Sequence, residues 1–194
     1  MRSIIIGTGN AGKFGEIRSS LVGAFDEFFS ISDFDDKIDV VEDMETYPEN
    51  ALKKARKIGN RLAMDTLADD SGLEVEALRG RPGIFSARYG ASDDERIERL
   101  LAELRGVPLE ARKAVFKAYL VFYKPTGGLA FVFYGCLRGY IGSERRGSEG
   151  FGFDPVFMLP DSGKSLAELT RDEKNRISHR GRALDAFKRF IGSY

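Results

Sequence analysis

The chain has 194 residues, of which 42% are hydrophobic and 31% charged, and its 30 lysines plus arginines equal its 30 aspartates plus glutamates. This size and apolar content predict one globular domain over residues 1–194, or two small lobes that share a core. Because the net charge is zero, no overall field attracts nucleic acid or a membrane, and any anion site must be local. A single cysteine and a single histidine exclude an internal disulfide and a His/Cys zinc cage. A bound metal is therefore expected to be a hard cation held by carboxylates.

The apolar runs of the chain are short, and none approaches the roughly 20 residues needed to cross a bilayer. The apolar stretch at residues 1–6 is too short for a secretory signal. We therefore expect a cytoplasmic protein that has no membrane partner.

The first half of the chain predicts alternating strands and helices. A β-branched run at residues 3–8 predicts a buried strand, and the spacing of Phe14, Ile17 and Leu21 predicts a helix after it. Residues 28–32 and 38–41 are typical of further short strands. A capping box over residues 46–49, with proline in the first turn, predicts the start of a second helix.

The second half changes to a pattern that includes a hairpin. Residues 66–68 and 73–77 predict strands interrupted by an acidic turn, and a capping box at residues 92–95 predicts another helix. Alternating residues at 114–123 and 129–135 flank a Pro-Thr-Gly-Gly turn, which predicts an antiparallel hairpin. A glycine-rich loop at residues 145–154 and a closing helix at 182–191 complete a predicted α/β fold, with a mixed sheet and flanking helices.

The first loop fits two nucleotide-binding patterns imperfectly. Gly7, Gly9 and Gly12 give G-x-G-x-x-G between a strand and a helix, and Asp33 lies near the end of the next predicted strand, as in a dinucleotide-binding unit. The same loop gives G-x-x-x-x-G-K up to Lys13, but phenylalanine follows where a P-loop requires Ser or Thr. Both interpretations place backbone N–H groups and a lysine near phosphate. A plain strand-helix turn is the alternative.

An acidic pair, Asp69-Asp70, is the second candidate site. Adjacent residues on a strand point to opposite faces, so one carboxylate can enter a site while the other stabilises the scaffold. A carboxylate from the acidic segment before the second helix could share Mg²⁺ with this pair. That segment contains Glu42, Asp43, Glu45 and Glu49. The alternative is a solvated turn followed by an acidic helix start.

Two further segments carry candidate residues. The loop at residues 147–155 places two aromatic rings among three glycines, so a ring could stack on a purine while Asp154 offers an acceptor. Lys174, His179 and Arg180 precede the predicted last helix and supply donors and positive charge. A structural loop and ordinary solvated basic residues are the alternatives.

Six ordered motifs, running from Ile6 to the last helix, resemble those of the inosine/xanthosine triphosphate pyrophosphatase family. They are, in chain order, Thr8-Gly9-Asn10-x-x-Lys13-x-x-Glu16, Glu49-Asn50-Ala51-x-x-Lys54-Ala55, Ala68-Asp69-Asp70-Ser71-Gly72-Leu73, Pro82-Gly83-Ile84-Phe85-Ser86-Ala87-Arg88-Tyr89, Gly150-Phe151-Gly152-Phe153-Asp154-Pro155 and Ser178-His179-Arg180-Gly181. The resemblance implies a two-lobed α/β homodimer with a central cleft. It also implies Mg²⁺-dependent cleavage of ITP, dITP or XTP to the monophosphate and pyrophosphate.

The resemblance also implies residue roles. Asp70 would be the general base, and Glu42 and Asp70 would hold Mg²⁺, with Asp69 as a further candidate ligand. Lys13, Lys54 and Lys174 would face the phosphates. The whole implied substrate-binding set is Thr8, Gly9, Asn10, Ala11, Gly12, Lys13, Lys54, Ser71, Phe151, Gly152, Phe153, Asp154, Lys174, His179 and Arg180.

Two rival functions remain open from the residues alone. A dinucleotide-binding oxidoreductase would use Gly7, Gly9, Gly12 and Asp33, but it leaves the acidic pair unexplained. A non-catalytic nucleotide-binding module would use the same pocket without turnover. The intact pair Asp69-Asp70 favours an enzyme over this module.

Overall fold

The structure is a computed structural model that describes residues 2–34 and 38–192. Its described residues form two compact units. Unit 1 contains residues 2–34, 38–70, 118–135 and 180–192, and unit 2 contains residues 71–117 and 136–179. Each unit has its own apolar core, and the chain passes between the units within three long strands and again at the start of the last helix.

A six-stranded mixed sheet confirms the predicted fold class. The strands are β1 (Ser3–Gly7), β2 (Glu27–Ser30), β3 (Thr66–Val75), β4 (Lys113–Lys124), β5 (Leu129–Ile141) and β6 (Phe157–Met158). Their order is β2-β1-β3-β4-β5-β6, with β1 parallel to both β2 and β3, and β5 antiparallel to β6. The four residues between β4 and β5 confirm the predicted hairpin, because so short a connection joins neighbouring strands in antiparallel fashion.

The described helices are α1 (Ala11–Leu21), α2 (Tyr47–Leu62), α3 (Asp93–Glu103), α4 (Arg171–Ile177) and α5 (His179–Gly192). None of them, within residues 2–34 and 38–192, combines the length and hydropathy of a bilayer span. At α3 the cap within the predicted box is confirmed, because the Ser92 side chain accepts the backbone N–H of Glu95, but the Glu95 carboxylate accepts the N–H of Ala91 and not that of Ser92. The capping box predicted at α2 is wrong, because no side chain caps its first backbone N–H groups and the Thr46 hydroxyl instead donates to the Glu49 carboxylate at 2.7 Å.

The core of unit 1 forms on both faces of the parallel strands. Ile4, Ile5 and Ile6 of β1 are all fully buried, as expected for a strand covered on two sides. Helix α1 contributes Ile17 and Leu21 to one cluster. Apolar side chains of α5, among them Leu184 and Phe187, complete that cluster.

The core of unit 2 contains side chains from α3 and from the parts of β3, β4 and β5 that lie in this unit. Ile97 and Leu100 of α3 belong to a cluster with Phe116 of β4 and Phe157 of β6. Buried Arg112 stabilises the loops around this core by donating to the backbone carbonyls of Val107, Gly142 and Leu104 at 2.9–3.1 Å.

Three other predictions about local structure are wrong. Residues 38–41 form no strand, since the described stretch 38–46 has no regular secondary structure before α2. Residues 69–72 do not interrupt a strand, because β3 runs without a break from Thr66 to Val75. The last helix begins at His179 and not at residue 182, so His179 and Arg180 belong to it. Asp33 lies in a short 3₁₀ turn after β2 and accepts the backbone N–H of Ser30.

We predict that Gly59→Ala destabilises the protein by about 1–3 kcal/mol, the usual cost of overpacking. A Cβ at Gly59 in α2 would lie 2.8 Å from Cδ1 of Tyr123 and 3.2 Å from the carbonyl oxygen of Met64. Urea denaturation measures the change. The matched control is Gly15→Ala in α1, where a Cβ meets no atom within 4 Å, and alanine there should stabilise by about 0.5–1 kcal/mol. Equal effects of the two substitutions would contradict this packing.

Candidate active site

The loop between β1 and α1 is a capped helix start. The Asn10 side chain accepts the backbone N–H of Lys13 at 2.9 Å, and the Thr8 hydroxyl oxygen accepts the N–H of Asn10 at 3.1 Å. Thr8 is buried, whereas Gly9, Asn10 and Ala11 are exposed, and Gly12 and Lys13 are partly buried. The loop therefore presents exposed backbone next to the Lys13 side chain, as a phosphate-binding turn requires.

Gly7 has a packing role in this loop. A Cβ there would lie 3.0 Å from Cδ1 of Ile58 and 3.2 Å from Cβ of Ala68. The glycine therefore permits the close approach of α2 and β3 to β1. The presence of glycine at the first position of the G-x-G-x-x-G pattern is thus explained by packing and does not require a bound dinucleotide.

Strand β3 carries the acidic pair in its middle. Because β3 is continuous here, the side chains of Asp69 and Asp70 point to opposite faces of the sheet. Asp69 is completely buried, and Asp70 is 5% exposed. Two neighbouring carboxylates therefore sit in different surroundings.

Asp69 is surrounded by cations. Its Oδ2 lies 2.6 Å from the Lys13 ammonium, and its carboxylate faces the Arg180 guanidinium at 3.4 Å. Burial alone would raise the pKa of Asp69, but Arg180 and Lys13 hold this pKa well below its ordinary value. Arg180 also pairs with the buried carboxylate of Glu16. The result is a buried chain of alternating charges, Lys13-Asp69-Arg180-Glu16.

Asp70 behaves in the opposite way. Burial raises its pKa to about 6, and the charges of Glu42 and Asp69 add to this rise against the lowering effect of Lys13 and Lys54. A carboxyl group with a pKa near 6 is ionised at neutral pH and still basic enough to accept a proton from water. Asp70 thus has the properties of a general base.

Glu42 is the acid of the upstream segment whose carboxylate lies in this cluster. It pairs with Lys54, whose ammonium also donates to the backbone carbonyl of Asp69 at 2.9 Å. Asp43 instead pairs with Lys53. Glu49 accepts from Thr46 at the start of α2. These contacts favour Glu42 over Asp43 and Glu49 as the upstream metal ligand.

The carboxylates of Glu42 and Asp70 suit Mg²⁺. Within residues 2–34 and 38–192, no group of three or more His, Cys, Asp or Glu side chains could hold a metal by itself. Mg²⁺ normally uses one or two carboxylates and takes its other ligands from substrate phosphates and water. The charge of Glu42 contributes to the raised pKa of Asp70, so these two carboxylates are close neighbours and a suitable donor set for this ion.

The glycine-rich loop belongs to unit 2. The Asp154 carboxylate is 3% exposed, accepts the backbone N–H of Phe151 at 2.9 Å and pairs with the buried Lys174. The Lys174 ammonium lies 4.6 Å from the centroid of the Phe151 ring. Phe153 is 4% exposed and packs edge-on against Tyr89. Of the two rings, Phe151 is the more exposed.

His179 and Arg180 are consecutive but have different surroundings. The His179 ring stacks on Phe116 in unit 2, with centroids 4.7 Å apart and planes 9° apart. Arg180 is 2% exposed and belongs to the charge chain of unit 1. Ser71, which directly follows the acidic pair, is the first residue of unit 2 and is partly buried.

Sequence reasoning missed two residues that act on the candidate site. Glu16 was named only as a position of the first motif and was given no role, yet its carboxylate pairs with Arg180. Asp93 appeared only in a capping box, yet its Oδ2 accepts the backbone N–H of Gly152 at 2.7 Å. These partners are 164 and 59 residues apart along the chain, so no local pattern reveals them.

The chain matches known proteins over nearly its whole length. A model of the Ham1 family matches residues 4–190. A dITP/XTP pyrophosphatase from Geobacter sulfurreducens is 44% identical over 195 residues, which cover 99% of this chain and 98% of that protein. A dITP/XTP pyrophosphatase from Geobacillus kaustophilus is 48% identical, with 95% and 91% covered. The solved structure of a HAM1 protein from Coxiella burnetii superposes with a TM-score of 0.89 at 34% identity, covering all of both chains.

We predict that neutralising each of the two adjacent aspartates has opposite effects on stability. Asp69→Asn should destabilise the metal-free protein by about 3–5 kcal/mol, because it removes the anion that pairs with Lys13 and leaves only Glu16 to balance the buried Arg180. Asp70→Asn should stabilise by about 1–3 kcal/mol at pH 7.5, because folding shifts the pKa of Asp70 upward and so disfavours its ionised form. Urea denaturation of both variants at several pH values measures the difference.

The pH dependence of the stability change in Asp70→Asn is the control for this prediction. The gain from Asp70→Asn should grow as pH rises from about 4 to 6, the interval between the unfolded and folded pKa values of Asp70. Below pH 4 the carboxyl group is protonated in both states, and the gain should vanish. A loss of stability in both variants at pH 7.5 would contradict the assigned charge states.

Proposed function

This chain belongs to the Ham1 family, and we propose that it hydrolyses non-canonical purine nucleoside triphosphates, namely ITP, dITP and XTP. The products are the nucleoside monophosphate and pyrophosphate, so the bond cleaved lies between the α- and β-phosphates. The observation that carries the mechanism is the split between Asp69 and Asp70. One aspartate is fixed as an anion among cations, and its neighbour has a pKa of about 6.

The triphosphate carries about four negative charges, which the site has to neutralise. We assign this task to Lys13 and Lys54, whose ammonium groups contact Asp69 and Glu42. The exposed backbone at the start of α1 supplies N–H donors beside Lys13. Lys174, predicted to face the phosphates, is buried against Asp154 in unit 2. A phosphate contact by Lys174 remains a prediction from the family resemblance.

Asp70 acts as the general base. Above pH 6 its carboxylate is ionised, and it orients a water molecule for attack on the α-phosphorus and accepts the proton of that water. Pyrophosphate is the leaving group. The nearby Asp69 cannot take this role, because Arg180 and Lys13 keep its pKa low.

Mg²⁺ is the proposed cofactor, with Glu42 and Asp70 as its protein ligands and Asp69 held apart by its own cations. When bound, the ion would supply positive charge to the phosphate oxygens and the leaving group. This chain's own contribution is to bring two carboxylates to the phosphate-binding loop. The pairing of Glu42 with Lys54 holds one of them there.

Base recognition is proposed for Phe151, His179 and Arg180. Phe151 is the better stacking ring, since Phe153 is buried against Tyr89. His179 can donate to the 6-carbonyl of hypoxanthine or xanthine, and Arg180 can only donate. A donor at that position confronts the 6-amino group of adenine, so such a site discriminates against ATP. Because Arg180 also neutralises Asp69, any test of its base contact has to measure stability as well.

The residues that would support the two rival functions have other roles in the structure. A dinucleotide site needs an acidic residue for the ribose, but Asp33 accepts the N–H of Ser30 in a local cap. A non-catalytic module has no need for a carboxyl group with a pKa near 6 among phosphate-facing lysines. The homodimer implied by the family resemblance, and a cytoplasmic location where nucleoside triphosphates are made and used, remain proposals.

We predict that the purified protein converts ITP or XTP to the monophosphate and pyrophosphate, and that EDTA abolishes the reaction. Ion-exchange chromatography of the products identifies the bond that is cleaved. Asp70→Asn is the control variant, and it should fold normally and lower kcat by about 10²-fold or more, the range for a lost general base. Release of orthophosphate and a diphosphate would contradict the proposed function. Near-normal turnover by folded Asp70→Asn would remove Asp70 from the catalytic role.

A further inference from the structure

Residues 147–154 of the glycine-rich loop are bound by the first residue of helix α3. The Oδ2 atom of Asp93, the first residue of α3, accepts the backbone N–H of Gly152 at 2.7 Å. The other oxygen, Oδ1, pairs with Arg96 one turn further along the helix. Arg96 therefore fixes the carboxylate in the orientation that reaches Gly152. The contact joins residues 59 positions apart, both of them in unit 2.

The preceding amide of the same loop is held by a second carboxylate. Asp154 accepts the N–H of Phe151, and the Asp154 carboxylate also binds Lys174, which lies against the Phe151 ring. Two consecutive backbone N–H groups, those of Phe151 and Gly152, are thus bound by two separate carboxylates. A loop segment with both amides fixed leaves its aromatic ring little freedom to move.

The two glycines on either side of Phe151 have different surroundings. Gly150 has φ +79°, and a Cβ there would lie 2.2 Å from Oδ2 of Asp154. Gly152 has φ +63°, but a Cβ there would meet no atom within 4 Å. The backbone at Gly152 is therefore bound by Asp93 on one side and open on the side where a side chain would project.

We propose that Asp93 is a positioning residue for purine recognition, which it serves by fixing the Gly152 amide and hence the Phe151 ring. The inference rests on the proposed function, because it assumes that this loop receives the base. Asp93 touches neither phosphate nor the reacting water in this account. Its loss should therefore weaken base binding and selectivity and leave the chemical step nearly intact.

A purely structural role for Asp93 makes a different prediction. Any acid in the first turn of α3 stabilises the helix through its dipole, and Asp94 shares that position. Asp94 pairs with the exposed side chain of Arg145 at the start of the glycine-rich loop, and not with the backbone of residues 147–154 that carries Phe151. Asp94→Ala is thus a matched control that removes the same charge from the same helical turn.

The test compares Asp93→Ala and Asp94→Ala in the full-length protein. Hydrogen exchange of the Gly152 amide, followed by NMR, reports the contact directly and does not depend on turnover. Asp93→Ala should abolish the protection of this amide against exchange. It should also raise KM for ITP and Kd for IMP about 10-fold and lower the preference for ITP over ATP. The value of kcat should change less than about threefold. Asp94→Ala should match the wild type in all five quantities. Asp93→Asn, which keeps an acceptor oxygen, should restore part of the protection and affinity.

Two results would overturn the inference. The Gly152 amide could exchange equally fast in the wild type and in Asp93→Ala. Alternatively, both alanine variants could change KM, Kd and selectivity to the same extent, which would make Asp93 only a helix-stabilising charge. The proposed function is tested separately, by measuring pyrophosphate release from ITP by the wild-type protein. If the wild type releases no pyrophosphate, the proposed function itself fails.

Discussion

Asp69 is completely buried, and its negative charge is balanced by Lys13 and Arg180, with Glu16 balancing the arginine in turn. Buried charges are tolerated only when paired, so these four side chains constrain one another. The pairing ties the start of α1, the middle of β3 and the start of α5 together within unit 1. The environment of Asp70 depends on this arrangement.

The same charge chain explains how two adjacent aspartates acquire different chemistry. Arg180 and Lys13 hold the pKa of Asp69 low, whereas burial is the largest effect on Asp70, on the opposite face, and raises its pKa to about 6. The strand alternates its side chains, and that alternation is the basis of the scaffold role proposed for Asp69 and the proton-transfer role proposed for Asp70. In the loop of unit 2, Asp93 and Asp154 bind two backbone N–H groups, and Phe151 is the ring proposed to contact the base.

The sequence predicted the features that depend on local pattern. The β-branched run of β1, the cap of α3 and the hairpin of β4 and β5 follow from residue spacing, and the structure confirms them. Asp69-Asp70-Ser71-Gly72 looked like a turn, because its polar residues and glycine outweigh β propensity locally, whereas pairing within the sheet carries β3 through them. The partners Glu16 with Arg180 and Asp93 with Gly152 could not be predicted, because only the folded chain brings such distant residues together.

Folding should give Asp69 and Asp70 different proton affinities. Carboxyl carbon chemical shifts, followed by NMR during a pH titration of the metal-free protein, measure both sites directly. We expect Asp70 to titrate near pH 6, and Asp69 to stay ionised to well below the ordinary range of an aspartate. Arg180→Ala should bring the pKa of Asp69 upward. Titration of both carboxyl groups together near pH 4 would contradict the account.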